Sequence, residues 1–198
     1  MDAITAMETC RAMRYLRPEP VSDAVLRRLV YAATRAPSPG NSQGWDFVIA
    51  RDPATRRRIT AVLKPALAPI LPEPSPTAPR SQRLMLDGVR HLAERLGDVP
   101  AWIFVCGRPV YPPNAPSEAW ISSAVLPAAQ NLIVAARALG LGTVFTAFHT
   151  LVEPELRKVL ELPDDARIGV TIPLGWPAAE FGPVARKPVD AVLHWEHW

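Results

Sequence analysis

Four short stretches of the chain carry groups able to hold or tune a ligand. Arg11-Ala12-Met13-Arg14 sets two guanidiniums three residues apart. Arginine offers a planar fork of donors, so such a pair can bracket a phosphate; two solvated arginines at a helix end give the same pattern. Ala36-Pro37-Ser38-Pro39-Gly40-Asn41-Ser42-Gln43-Gly44-Trp45 combines proline and glycine, which fix a tight loop, with Ser38, Asn41 and Gln43, which both donate and accept hydrogen bonds. That set can read a heteroaromatic edge carrying carbonyl and N–H groups together, or it can be an Asx-type turn that caps a strand. Leu139-Gly140-Leu141-Gly142-Thr143 runs into Val144-Phe145-Thr146-Ala147-Phe148. Its glycines would let a ligand approach the backbone, or would simply end a helix. Pro173-Leu174-Gly175-Trp176-Pro177 is followed by the basic pair Arg186-Lys187, a second grip on phosphate or another solvated pair.

Other chemistries lack their residues. There is no GxGxxG, no GxxxxGK[ST] and no GxSxG, so no Rossmann, P-loop or nucleophile-elbow fingerprint is present. His91, His149, His194 and His197 form no HExxH or Cys/His cluster, and no metal is expected. Cys10 and Cys106 are far apart in sequence and form no CxxC, which fits a reduced, cytoplasmic setting. The net charge of +3 comes without a run of five like charges, so nucleic acid is not an expected partner; a small polyanion accounts for a modest excess. The first twenty residues are charged throughout and no apolar run approaches the roughly 18 residues of a membrane span, so no membrane association is expected.

The 198 residues are 48% hydrophobic and 21% charged, enough for one domain of ordinary size with a substantial core, spanning 1–198. Residues 2–9 read as a short helix that delivers Arg11 and Arg14, and 17–20 as an extended connector. Ser22 suits the N-cap of an amphipathic helix bearing Val25, Leu26, Leu29, Val30 and Ala33. Residues 45–50 are strand-like and 53–63 helical. Six prolines within 65–79 argue against a helix or central strand, so 64–80 is expected to be a proline-rich surface excursion, either a lid over a site or an inert loop. Residues 82–96 read as helix and 102–106 as a central strand. The longest helical pattern covers 118–139; it is apolar nearly all round, which places it in the core, and Pro127 should kink or break it. A third strand is expected at 143–148, a helix at 153–160 with Pro154 in its first turn, and a fourth strand at 168–174 stopped by Gly175-Trp176-Pro177. The arm 189–198 carries Trp195 and Trp198, which suggests that it docks, a partner subunit being one place for it. Helices and strands mix without strict alternation, which predicts an α+β sandwich whose four- or five-stranded sheet is covered by helices.

In this order the motifs resemble the nitroreductase-like flavoprotein family, from about residue 6 to residue 193. The match is strongest in the APS-x-x-N-x-Q-x-W-x-F segment at 36–47, and next in 130–143 and 173–177. The resemblance implies a mostly antiparallel sheet, an intertwined homodimer, and two FMN molecules in the interface, each touched by both subunits. By motif position, Arg11 would lie near the phosphate, with Ala12 and Met13 beside it, and Arg14 nearer the ring. Pro37, Ser38, Asn41 and Gln43 would come from the other subunit. Phe145, Thr146, Ala147 and Gly175 would line the ring, with Arg14 and Thr146 as candidate tuners of the flavin. Arg186 and Lys187 would close on the phosphate. No side chain is expected to act as a catalytic acid or base. The implied activity is hydride transfer from NADH or NADPH to flavin and on to a planar, electron-poor acceptor such as a nitroaromatic or quinone. A flavin-dependent dehydrogenase or reductive dehalogenase acting on one metabolite is the alternative on the same fold. A flavin-binding or interaction protein without turnover is the alternative of another class, hinted at by the proline-rich segment. This chain departs from the family pattern in three places: many members read Arg-Arg-Ser-x-Arg where it has Cys10-Arg11-Ala12-Met13-Arg14, many have proline at Gly44, and 64–96 matches poorly.

Overall fold

A computed structural model describes residues 1–71, 73, 75 and 77–198. The chain begins with α1 (Ala3–Thr9), whose N-cap Asp2 accepts from the Thr5 N–H, and continues to a two-residue strand, β1 (Leu16–Arg17). The expected cap at Ser22 is present: its hydroxyl accepts from the Val25 N–H at the start of α2 (Asp23–Ala33). Ser22→Ala should therefore lower stability by about 1 kcal/mol, seen as a shifted urea midpoint at unchanged slope. After a tight loop come β2 (Trp45–Ala50) and α3 (Pro53–Leu67), the latter capped by Asp52. α4 (Arg80–Glu94) leads through a 3-10 turn at Leu96–Asp98 to β3 (Ala101–Gly107), which is buried along its whole length. A second 3-10 turn, Glu118–Trp120, opens into α5 (Ile121–Ala138). Then follow β4 (Gly142–Thr143), a 3-10 turn at Phe148–Leu151, α6 (Glu153–Leu160) and the long β5 (Arg167–Pro177).

The five strands form one sheet in the order β1-β5-β3-β2, with β4 also paired to β5, and every strand pairing is antiparallel. Successive side chains on a strand point to opposite faces, and β3 shows both faces at work. Ala101, Ile103 and Val105 pack with Leu26 and Leu29 of α2 and Val125 and Leu132 of α5. Trp102, Phe104 and Cys106 pack with Ile59 and Leu63 of α3, Leu92 of α4 and Leu156 of α6. Helices therefore cover both faces, the α+β sandwich expected.

Five local expectations are corrected. The excursion begins later than residue 64, because α3 runs through Pro65 to Leu67: the buried stripe Ile59, Leu63, Leu67 continues across it, and Pro65 sits on the exposed side. Of the remaining prolines there, Pro72, Pro74 and Pro76 lie outside the described residues. α5 is continuous through Pro127, since Ser123, whose carbonyl loses its partner, is exposed to water. α5 is also not buried all round, for Ser122, Ser123, Leu126 and Gln130 are exposed. Residues Glu118–Ala138 do reach the length and mean hydropathy, 1.4, of a membrane span; their buried residues pack between α2 and the sheet, as a core helix does. The strand expected over 143–148 shrinks to β4 plus an isolated bridge from Thr146 to Thr171. β5 is not stopped at Gly175, because β4 and β1 pair with its last residues. The C-terminal arm does not dock on its own chain: Trp195 is 76% exposed and Trp198 fully so.

Candidate functional site

The Arg11–Arg14 segment is held by backbone pairing. The Met13 N–H donates to the Thr143 carbonyl at 2.9 Å, Ala12 bridges Thr143, and Met13 is buried. A Cβ at Gly142 would come within 2.8 Å of the Met13 Cβ, so that glycine is what lets the segment lie so close to β4. Ala12 and Met13 are thus spacers that lay the segment on the sheet. Arg11 is exposed and Arg14 half-buried. Burial, and secondarily the nearby Arg11 charge, push Arg14 below the ordinary guanidinium value. Six salt bridges occupy other arginines, yet among the described residues no carboxylate pairs with Arg11 or Arg14, and Arg14 makes no hydrogen bond. A half-buried cation without a counter-charge is costly unless an anion joins it.

Helix α4 leans on this segment. A Cβ at Gly88 would lie 3.2 Å from the Arg14 Cδ, and the rings of Tyr15 and His91 stack at 4.1 Å. Between them opens a cleft of about 370 Å³ lined by Arg14, Leu16, His91, Arg95 and Asp98, among others. Arg95 bonds Asp98 at 3.1 Å. Neither His91 nor Arg95 is legible as a site residue in the sequence, because both lie far along the chain from Arg14 and meet it only in three dimensions.

The C-terminal segment passes the other end. The Val184 N–H donates to the Glu8 carbonyl at 2.9 Å, Arg137 lies 4.0 Å over the Phe181 ring, and a Cβ on Gly182 would sit 3.7 Å from Arg11 Nη1. Arg186 and Lys187 follow close by in sequence but are exposed, and Arg186 donates to its neighbour's carbonyl, Ala185 O.

In the 36–45 loop, the turn reading is realised by Ser38, its hydroxyl accepting from the Gln43 N–H at 2.9 Å and its carbonyl from the Asn41 N–H. Gly40, Asn41 and Gln43 all have positive φ near 50° to 56°, and the exposed Asn41 and Gln43 side-chain amides make no hydrogen bond among the described residues. Pro37 is exposed as well. Among the described residues no hydrogen bond or ion pair joins this loop to Arg11 or Arg14 of the same chain.

Past β4 the chain alternates. Phe145 and Ala147 are exposed, whereas Thr146 is turned inward. The Thr146 N–H and hydroxyl both donate to the Thr171 carbonyl, at 3.0 and 2.8 Å, and its carbonyl accepts from the Thr171 N–H. Neither Thr146 donor is therefore free to tune a ligand, whereas among the described residues the Phe145 and Ala147 N–H groups make no hydrogen bond. Gly175 is likewise buried, with Pro100 2.7 Å from where its Cβ would be, which is a packing position. His149, which the sequence reading passed over, is buried beneath the turn with Nδ1 3.1 Å from the Thr171 hydroxyl. Burial pushes it below the ordinary 6.5, with Glu153 opposing. Both thiols are held protonated, chiefly by burial, and Cys106 is pushed up to about 12, so neither is a nucleophile at neutral pH.

The family model described as "Nitroreductase family" matches residues 8–176. The chain belongs to the nitroreductase family. An NADH dehydrogenase of Thermus thermophilus is 31% identical to it, over 98% of this chain and 96% of that one. Among solved structures, an iodotyrosine deiodinase bound to FMN and 3-iodo-L-tyrosine superposes with a TM-score of 0.79 at 20% identity, covering 100% of both chains. A nitroreductase with bound FMN from Desulfitobacterium hafniense gives 0.74 at 19% identity, covering 99% of this chain and 100% of that one. These two likenesses carry the fold.

Proposed function

We propose that the chain binds FMN and acts as an NAD(P)H-dependent oxidoreductase in the form of a homodimer. The observation that carries the reading is Arg14: half-buried, next to Arg11, and without an anionic partner among the described residues. The donor set fits the cofactor. Arg11, exposed beside residues 181–184, would take the phosphate, with Arg186 and Lys187 near enough in sequence to close on it. Arg14 would face the ring, where a fixed positive charge favours the reduced, anionic form. The exposed Phe145 and Ala147 would lie along the ring, the Ala147 N–H donating to it. Bound FMN supplies the two-electron chemistry, taking hydride from NADH or NADPH and passing it to a flat, electron-poor acceptor such as a nitroaromatic or quinone.

A second copy would complete the site. The 36–45 loop, with Asn41 and Gln43 unpaired, makes no bond to Arg11 or Arg14 in its own chain. Leu126 on α5 and the tryptophans of the 189–198 arm are large apolar side chains left exposed by one chain. Sedimentation should give twice the mass of a single chain.

The direct test is anaerobic mixing of the purified protein with each nicotinamide. The protein should carry a yellow visible band that bleaches with at least one donor and returns on adding a quinone or nitroaromatic. Persistence of that band with both donors would reject the activity; a colourless chain that takes up no added FMN would reject the cofactor. The likeness to the deiodinase supports a dehalogenase as the second reading. Flavin that bleaches with nicotinamide, but returns with a halogenated aromatic and not with a quinone, would favour it.

A further inference from the structure

Beneath the turn at residues 146–147 lies a buried polar cluster that no step above uses. Thr171, on β5, is fully buried, and its backbone holds Thr146 from both sides through three hydrogen bonds. The Thr171 hydroxyl lies 3.1 Å from His149 Nδ1. With no other acceptor among the described residues, the hydroxyl proton is assigned to Nδ1, and the neutral ring carries its own proton on Nε2. A protonated ring can only donate. It would turn the Thr171 proton away from its acceptor, in a place where water does not replace the lost bond. We propose that His149 is a positioning residue that acts through Thr171 to fix the 146–147 turn, and that FMN retention weakens when its ring is no longer neutral. The second half rests on the FMN reading above.

The surroundings favour the neutral ring. α3, α6 and β5 pack against the 3-10 turn that bears His149. Of the charged groups on those elements, Glu153 at the start of α6 is the one whose field reaches the ring; it favours protonation, and burial outweighs it. The ring therefore gains its proton below the ordinary 6.5. The unfolded chain takes up that proton first, so the stability that depends on a neutral His149 is complete above about 6.5 and is lost as pH falls below it.

The test begins with the protein stripped of any cofactor. In a proton–nitrogen NMR titration, the Thr146 and Ala147 amide signals should move with the midpoint of the His149 ring. In Thr171→Val the ring should still titrate while those amides stay still, and in His149→Gln they should not move at all. Amides that ignore the ring in the unmodified protein, or that still follow it in Thr171→Val, would overturn the proposal. The unmodified protein needs no variant to fold, so the first measurement always decides. The second arm is FMN affinity by fluorescence quenching from pH 8 to pH 5, taken as a ratio to His149→Gln so that titration of the FMN phosphate cancels. The ratio should fall about tenfold, the worth of one buried hydrogen bond. A flat ratio with responding amides would reject the link to retention. Responding amides with no FMN uptake at any pH would leave the positioning role standing and reject the cofactor reading.

Discussion

Arg14→Ala should bind FMN about 10- to 100-fold more weakly than the unmodified chain, the range expected for losing hydrogen bonds between an ionised group and its partner in a half-buried place. The expectation follows from what the arginine lacks. Among the described residues ion pairs neutralise other arginines, and this one has none, although burial and Arg11 both oppose its charge. Arg17→Ala supplies the control. Arg17 is about half exposed and faces Glu19 at 3.5 Å, a surface pair of little worth, so its loss should change the dissociation constant less than about threefold. Fluorescence quenching of free FMN reads both. Equal affinity in the two variants would remove Arg14 from the site.

Leu132→Ala should destabilise the chain by about 2–5 kcal/mol, with urea denaturation as the measurement. Leu132 is wholly buried where α5 meets α2 and the sheet, in the same cluster as Leu29, Val125 and Ile172. Truncation would leave a void that close-packed neighbours refill only in part. Leu126, six residues earlier on the same helix, is 45% exposed. Its truncation should cost less than about 1 kcal/mol in a lone chain. In a dimer that buries it, the cost should rise and depend on protein concentration. The pair of variants thus separates the inner face of α5 from the outer one.

Local signals in the sequence were enough for some elements. β2 and α6 fall where their aromatic and β-branched content and first-turn proline place them, and Ser22 caps α2 as read. The errors arose where a long-range contact overrode a local cue. Pro65 stops nothing because the Ile59, Leu63, Leu67 stripe carries α3 across it. Gly175 and Pro177 stay in β5 because β4 and β1 lie alongside. For the site, Arg14 was legible from its spacing to Arg11, and the 36–45 loop from its turn chemistry. That Thr146 spends both donors on Thr171 was not, since the partner lies 25 residues away. Arg95 and His91 gave no signal either; residues so far from Arg14 in sequence become part of its cleft only when α4 folds over β1.

Gly88 marks where α4 rests against the stem of Arg14. A side chain there would shoulder the arginine aside by a few tenths of an ångström, since the nearest atom, Cδ, stands 3.2 Å from where Cβ would be. The helix that follows the proline-rich excursion is therefore not at liberty to drift: repositioning it moves the neighbouring guanidinium too. For anyone reshaping this protein by directed evolution, libraries on α4 should spare position 88, because the placement of helix and guanidinium is mechanically yoked.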